Sequence, residues 1–269
     1  MNDSILILAP HQDDEILMCA GVLYAAAKRG ADACVCLLTN GEYCADADAA
    51  VRANETCAAL ARLGVPEERV SFLGYADTGM KPEISFLWRL WNDHAGVTLP
   101  SRWGHTETWS PRGDYAMARR GAHSPYTRAA FLADLCAVIE DALPDEIYVT
   151  AASDLHGDHA AAGLFAREAV QKVRESHPGW SPRLYETPVH TAEEPEWPPR
   201  EGGVFTCPAD IDALGLDWDA RERRPLPDGF TAADKLALIN SYISQKPESP
   251  DHHLRSFAKD EEIFWPVKL

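Results

Sequence analysis

The N-terminal part of the chain alternates short apolar runs with segments of helical periodicity. Residues 5–8 form a continuous aliphatic run, which is typical of a strand buried on both faces of a parallel sheet. Over residues 14–29 the apolar positions recur at helical spacing, and Gly30 follows as a natural helix stop. The same pattern predicts strands over 33–38 and 70–73 and a helix over 49–63. This β-α-β-α-β order favours a doubly wound parallel sheet with right-handed crossovers.

The regular alternation stops between residues 76 and 126, where Gly, Pro, Ser, His and four tryptophans are concentrated. We interpret this stretch as an insertion over one end of the sheet. The α/β pattern then resumes, with a helix predicted over 128–143, a strand over 146–150 and helices over 159–175 and 232–244. Residues 188–230, rich in proline and acidic side chains, are interpreted as a second irregular insertion with a short strand over 204–207. We therefore predict one α/β domain over residues 1–269.

The composition narrows the class of protein and its partners. The chain has 269 residues, of which 46% are hydrophobic and 25% charged, as in compact globular proteins. Lys and Arg number 25 against 42 for Asp and Glu, a net charge of −17. Such a field repels nucleic-acid phosphates and anionic membranes, so we expect a small-molecule partner and no nucleic acid.

The cysteines and the apolar runs indicate the compartment. The seven cysteines are odd in number and contain no Cys-x-x-Cys pair, which argues against a zinc ribbon or a full disulfide framework. No stretch approaches the roughly 20 apolar residues of a transmembrane helix. The short apolar run near the N-terminus also lacks the basic leader of a signal peptide. We expect reduced thiols in a cytoplasmic protein.

The first segment that carries chemistry is Ala-Pro-His-Gln-Asp-Asp-Glu over residues 9–15, between the first predicted strand and helix. In open parallel sheets, ligands bind at the edge formed by the carboxyl ends of the strands. His11 and Asp14 lie three positions apart across a tight turn and can reach one ion, while Asp13 faces another direction. The alternative is that the acidic residues only cap the helix and complement its dipole.

A second segment of the same kind, residues 154–163, follows the predicted strand over 146–150. His156 and His159 are spaced i, i+3 with Asp158 between them, and the small residues behind them leave room for something to approach. An isolated histidine is more often solvated or part of the core than a ligand. Two separate strand ends that each present His with Asp favour a metal site instead.

The residue types indicate which metal and which roles. The predicted ligands are His11, Asp14 and His159. Two imidazoles and one carboxylate suit zinc with an open position for water, although manganese, iron and cobalt accept similar ligands. Asp13, outside the ligand set, is the candidate base. His156 could stabilise an oxyanion or help protonate a leaving amine, and Asp158 could orient an imidazole through its free N–H.

These motifs resemble those of the zinc-dependent de-N-acetylases of the PIG-L or LmbE-like family. The resemblance extends to residues 39–42, Arg52 with Glu55, residues 73–80, and Lys235 with Tyr242, Ser244 and Gln245. It implies a Rossmann-like three-layer sandwich with a mostly parallel central sheet, on which the insertions at 76–126 and 188–230 lie near the active edge.

By position, the resemblance assigns the metal to His11, Asp14 and His159. It also makes Asp13 the general base, His156 the electrostatic helper, and Arg52 and Asp77 substrate-binding residues. The implied reaction is removal of an acetyl group from an N-acetylated amino sugar or glycoconjugate by metal-activated water. One departure is Gln12, where most members have proline, and its loss frees the backbone of the turn.

Two other functions fit parts of the sequence. One is an amidase of the same family that cleaves a different acyl group or a thiol-conjugate amide. The other is a receiver-like binding module in which Asp13 and Asp14 hold magnesium. His11 and the histidine pair speak against it, because nitrogen ligands are unusual for magnesium.

Several residues outside the motifs are weaker candidates. The four tryptophans of the first insertion, Trp88, Trp91, Trp103 and Trp109, either stack on a sugar or build a satellite core. Histidines that could approach the site from the insertions are His94, His105, His123 and His190. We expect the His252-His253 pair to be solvated. Asn40 and Glu42 either line the pocket or belong to a plain turn.

Overall fold

The computed structural model describes residues 4–43, 46–191, 197–200, 202–246 and 253–269. The strands are β1 (Ser4–Ala9), β2 (Asp32–Thr39), β3 (Val70–Tyr75), β4 (Glu146–Thr150), β5 (Arg183–Thr187), β6 (Glu222–Pro225) and β7 (Glu261–Pro266). The α-helices are α1 (Asp14–Arg29), α2 (Asp46–Arg62), α3 (Phe86–Asn92), α4 (Tyr115–Arg120), α5 (Arg128–Ala142), α6 (Gly157–Ser176) and α7 (Ala232–Ile239). Short 3₁₀ helices cover Glu67–Arg69, Trp218–Ala220, Ile243–Gln245 and His253–Phe257.

The strands form one seven-stranded sheet in the order β3-β2-β1-β4-β5-β7-β6. The first five of these are parallel, β7 is antiparallel to β5, and β6 is antiparallel to β7. The predicted Rossmann-like, mostly parallel sheet is confirmed. Strand order reverses between β1 and β4, and in such sheets this switch point opens a crevice at the carboxyl ends of the strands.

Strand β1 shows why the sheet is covered on both faces. Its four central residues are all buried, as the continuous aliphatic run predicts. Ile5 and Ile7 contribute to one hydrophobic core with α1 and α2. Leu6 and Leu8 contribute to a second core with α5 and α6 on the other face, because side chains alternate along a strand. The predicted three layers follow from this alternation.

The C-terminal part departs from the sequence prediction. Strands β5, β6 and β7 were not predicted, and the strand expected over 204–207 is wrong. Phe205 of that segment packs instead against Trp197, with ring centroids 5.4 Å apart. The late helix ends at Ile239 rather than Ser244, and α6 begins at Gly157, two residues before the predicted start.

The first insertion packs onto the sheet through its helix α3. Phe86, Leu87 and Leu90 of that helix are buried in the second core. Trp88 and Trp91 pack against the same core, with the Trp91 ring 4.9 Å from that of Phe165. Trp88 and Trp91 are therefore core residues rather than candidates for stacking on a sugar.

Among the helices of the described ranges, none has the length and apolar character needed to cross a membrane. The cysteines in these ranges are free thiols: Cys19, Cys34, Cys36, Cys57, Cys136 and Cys207. Cys44 and His252, both considered above, lie outside the described residues.

Candidate metal centre and active cleft

The loop between β1 and α1 brings the first motif to the switch point of the sheet. Asp13 occupies the N-cap position of α1, but its side chain makes no capping hydrogen bond there. Its backbone has φ 140°, a value that costs energy in a residue with a side chain. The N–H of Asp13 donates to Glu15 Oε2 at 2.9 Å, and the buried hydroxyl of Tyr242 donates to the other oxygen of Glu15. Buried neighbours therefore hold Asp13 in this strained conformation.

Three side-chain atoms from the two motifs converge on one point. His11 Nδ1 lies 3.1 Å from His159 Nε2 and 3.4 Å from Asp14 Oδ2. The distance between His159 Nε2 and Asp14 Oδ2 is 3.2 Å. Ligand atoms bound tetrahedrally to one zinc ion at its usual bond lengths are about 3.3 Å apart. The spacing of these three atoms is close to that value, and His11 and His159 also belong, with His156, to a group of side chains that could hold a metal ion.

The far side of each imidazole faces a carboxylate. His11 Nε2 lies 3.2 Å from Asp158 Oδ2, and His159 Nδ1 lies 3.4 Å from Asp154 Oδ2. Asp154 is itself fixed by the backbone N–H groups of Val189 and His190, at 2.7 and 3.0 Å. A carboxylate behind a ligating histidine sets the tautomer that presents the other ring nitrogen to a metal.

Asp154 was missed as a site residue by sequence reasoning. Its signal was its place in the loop after β4, within the same motif as His156 and His159. By contrast, the small residues of α6 were misinterpreted as room for a ligand. A Cβ on Gly163 would lie 2.7 Å from the carbonyl oxygen of Thr150, so these residues allow α6 to pack closely on β4.

His156 lies beside the converging atoms but makes different contacts. Its ring stacks on that of His159 with centroids 4.5 Å apart, and its centroid is 4.6 Å from that of His11. The N–H of Asp158 donates to His156 Nδ1 at 3.2 Å, which caps α6. Burial and the neighbouring histidines hold the pKa of His156 well below its usual value. The ring is therefore neutral, and Nε2 carries its proton.

Charge is concentrated in this small volume. Burial and the nearby Asp14 raise the pKa of Asp13. Although burial opposes the charged form of His159, Asp14 and Asp154 raise its pKa to about 9. Burial also opposes ionisation of Asp14, yet His159 and His11 hold its pKa well below the usual range. The carboxylates therefore create a field that favours a cation at the point of convergence.

A cleft of about 300 Å³ opens over this site and includes both predicted substrate-binding residues. The Arg52 guanidinium donates to Asp77 Oδ2 at 3.3 Å and to the carbonyl of Gln12 at 3.2 Å, and it lies 3.9 Å from Asp13 Oδ2. The side chain of Gln12 donates to the Thr39 carbonyl at 2.8 Å. Gln12 thus anchors the turn that the loss of proline was expected to free.

The cleft also contains residues from the C-terminal half of the chain, among them His190, one of the histidines expected to approach the site. His190 follows β5, and its ring centroid lies 5.2 Å from that of His159. Gln245 and Leu254 complete this wall. His253 stacks on His190 at 5.0 Å, so the expectation that it is solvated is wrong.

The other candidate histidines and the turn after β2 have different positions. His123 Nδ1 lies 2.7 Å from Asp114 Oδ2, away from the cleft, and His94 is exposed. His105 Nε2 lies 3.9 Å from the buried carboxylate of Glu42. Glu42 accepts a hydrogen bond from the Trp109 indole at 3.0 Å, so it anchors the first insertion, while the adjacent Tyr43 lines the cleft.

Comparison with known proteins agrees with this architecture. The family model described as PIG-L, GlcNAc-PI de-N-acetylase, matches residues 6–170, more than half of the chain. Comparison with curated proteins finds no significant match.

Solved structures with the same fold include several deacetylases. The N,N'-diacetylchitobiose deacetylase from Pyrococcus horikoshii has a TM-score of 0.57 at 15% identity, covering 98% of this chain and 84% of that one. The zinc-inhibited form of teicoplanin deacetylase Orf2 has a TM-score of 0.56 at 17% identity, covering 98% of each chain. A conserved protein from Thermus thermophilus has a TM-score of 0.56 at 20% identity, covering 100% of this chain and 97% of the other.

Proposed function

We propose the function of this chain on the basis of its family. The chain belongs to the PIG-L family of GlcNAc-PI de-N-acetylases. The proposed reaction is hydrolysis of the N-acetyl group of an amino sugar or glycoconjugate, with zinc as the metal. The observation that carries the proposal is the convergence of His11 Nδ1, Asp14 Oδ2 and His159 Nε2 within 3.1–3.4 Å of one another. Two of the similar structures are deacetylases, one of them in a zinc-inhibited form, and they support it.

We assign the metal to His11, Asp14 and His159. When bound, zinc lowers the pKa of water and polarises a carbonyl group. Asp158 and Asp154 lie behind the two imidazoles and keep their ring planes directed at the point of convergence.

We assign the general base to Asp13. Its carboxylate lines the cleft next to the metal site but is outside the ligand triad. Its raised pKa makes it a better proton acceptor than an ordinary aspartate once it is ionised. Arg52, 3.9 Å away, favours that ionised form and fixes the direction of the carboxylate. Asp13 would take a proton from the attacking water and pass it toward the leaving nitrogen.

We assign oxyanion stabilisation to His156. Because Nδ1 accepts the N–H of Asp158, the Nε2–H is the group that can donate to the carbonyl oxygen of the amide. Its lowered pKa argues for this role rather than for proton delivery to the amine. We place substrate hydroxyl groups against Arg52 and Asp77, which line the same cleft.

The test combines metal content with acetate release. Purified protein is assayed for bound metal and incubated with N-acetylhexosamines, free and linked to lipid, inositol or sugar. We expect zinc at one ion per chain and acetate release that a chelator abolishes and added zinc restores. His159→Ala should lose both metal and activity. Acetate release by His159→Ala equal to that of the unmodified protein would exclude this site, and magnesium as the sole metal would favour the receiver-like alternative.

A further inference from the structure

A second cavity adjoins the active cleft on the side of the first insertion. This rim groove has a volume of about 420 Å³, and its wall includes Tyr43, Ile84 and Pro100 together with the charged side chains of Glu83, Arg89 and Arg102. Tyr43 lines both the groove and the cleft. A molecule bound at the metal site can therefore extend past Tyr43 into the groove.

The boundary between the two cavities is closely packed. Gly79, with φ +122°, lies under the Tyr43 ring and the Ile84 side chain, and a Cβ there would be 3.0 Å from Tyr43 Cε2 and 2.9 Å from Ile84 Cδ1. Ser85 Oγ donates to the Gly79 carbonyl at 2.6 Å, and the N–H of Gly157 at the start of α6 donates to the Met80 carbonyl at 2.9 Å. The groove is thus held at a fixed position relative to the motif that carries His156 and His159.

The first insertion also forms hydrogen bonds with the turn after β2, which carries Tyr43 on the opposite wall of the groove. The Trp103 indole donates to the Glu42 carbonyl at 2.7 Å, and the Arg102 guanidinium donates to the Tyr43 carbonyl at 3.3 Å. The same guanidinium lies 5.9 Å from the Tyr43 ring centroid and 5.5 Å from that of Trp103. These contacts hold the aromatic rings in place before any ligand binds.

Several large apolar side chains are exposed in and around the groove. Four such residues are each 42–48% exposed: Tyr43 and Ile84 in the groove, Met80 in the adjoining cleft, and Trp103, which follows the groove residue Arg102. Singly exposed apolar residues are ordinary, but a cluster of them beside a cleft is typical of a ligand-binding surface. The flat Tyr43 ring and the aliphatic Ile84 side chain suit an apolar ring, since ring stacking needs no fixed hydrogen-bond pattern.

We propose that the rim groove binds the far end of the substrate, an apolar ring linked to the acylated amino sugar. This inference rests on the proposed function, because the acetyl group must occupy the metal site for the remainder of the molecule to reach Tyr43. The substrate class it names is a glycoconjugate whose aglycone is aromatic, rather than a free N-acetylhexosamine. On this proposal the first insertion, which contains neither of the two catalytic motifs, determines substrate choice.

The experiment measures binding and turnover with a matched pair of glycosides. Calorimetry compares the methyl and phenyl glycosides of glucosamine, the amine products, and acetate release compares their N-acetyl forms. We expect the phenyl compound to bind about five- to tenfold more tightly and to have a correspondingly lower KM. Ile84→Ser should weaken phenyl binding about threefold and leave methyl binding unchanged. Tyr43→Ala should remove the phenyl preference and Tyr43→Phe should retain it.

Val204→Ala serves as the control, because Val204 is 45% exposed but belongs to neither cavity. If both N-acetyl glycosides are hydrolysed without a phenyl preference, or if the preference survives in Tyr43→Ala, the groove proposal is wrong and the proposed function stands. If neither amine binds and no acetate is released, both fail together.

Discussion

Helix α1 takes part in two buried clusters of charged side chains that are built in opposite ways. At its N-terminal end, Asp13 and Asp14 lie beside two imidazoles whose nitrogen atoms are directed at a common point. In its middle, Lys235 from α7 forms an ion pair with Glu262 of β7 at 2.8 Å. Both clusters are buried, but in the second one the charged side chains also form hydrogen bonds with backbone groups.

The Lys235–Glu262 pair replaces hydrogen bonds that the helix itself lacks. Cys19 leaves helical geometry with φ −134° and ψ 19°, which kinks α1. Beside the kink, Lys235 Nζ donates to the Leu17 carbonyl at 2.8 Å, and the Glu262 carboxylate accepts the N–H groups of Gly21 and Val22 at 2.9 and 3.0 Å.

The difference teaches how buried charge can be recognised as structural or functional. In the structural pair, each charged atom meets its opposite charge and the backbone groups that need partners. In the functional cluster, acidic oxygens and ring nitrogens approach one another, pKa values are displaced in both directions, and Asp13 is held in a strained backbone conformation.

The largest effect should come from Asp13→Asn. Removing the base is expected to lower kcat about 10²- to 10⁴-fold, because a positioned proton acceptor contributes this much to hydrolysis. The unfolding free energy should not fall, since asparagine keeps the size and polarity of the side chain and cannot ionise beside Asp14. Acetate release and urea denaturation check the two parts. Normal activity with unchanged zinc content would show that another group is the base.

Lys235→Met is expected to have the opposite effect, a loss of stability rather than of activity. It leaves Glu262 buried without its cation, so the unfolding free energy should fall by about 3–5 kcal/mol. Adding Glu262→Gln to the same chain should recover part of the loss. The exposed Lys172→Met is the matched control and should change stability by less than about 0.5 kcal/mol. A loss for Lys235→Met no larger than for this control would contradict the structural role of the pair.

Asp154→Asn tests whether the carboxylate behind His159 belongs to the functional cluster. We expect zinc affinity to fall about 10- to 100-fold, since such a partner sets the orientation and basicity of a ligating imidazole. Competition with a chelator of known affinity measures it, and the exposed Asp228→Asn is the control. Equal zinc affinity in both variants would restrict Asp154 to fixing the loop after β5.

The smallest expected effect is a pH dependence of the metal-free protein. The pKa of His159 is raised to about 9, whereas an unfolded histidine titrates near 6.5. Its protonation therefore contributes stability that is fully present below pH 6.5 and is lost as the pH rises through about 9. Denaturation at several pH values measures it. Saturating zinc or His159→Gln should flatten the dependence; a slope that persists in His159→Gln would assign it to other groups.

The parallel core could be predicted from sequence because its signals are local. The aliphatic run of β1, the helical spacing of α1 and the resumption of the pattern at β4 each occupy adjacent residues. The motifs that follow β1 and β4 could be placed at one edge for the same reason, since parallel strands share a carboxyl end.

Of the C-terminal strands, β6 gave no such signal. Strand β6, Glu-Arg-Arg-Pro, has no apolar alternation and exists through its pairing with β7. The predicted strand over 204–207 failed because Phe205 is buried by contacts with distant aromatic rings rather than by a sheet. His190 and Leu254 reach the cleft only because these segments fold back over it, and the backbone N–H of Val189 fixes the Asp154 carboxylate for the same reason.

By itself, the sequence determined the class of fold and the residue types available to a metal, because burial periodicity and motif spacing are properties of neighbouring residues. The tertiary structure alone decided that His11 and His159, 148 positions apart, present nitrogen atoms at 3.1 Å. It did so by setting β1 next to β4 at the point where strand order reverses. Convergence of atoms depends on the path of the whole chain, which no local pattern records.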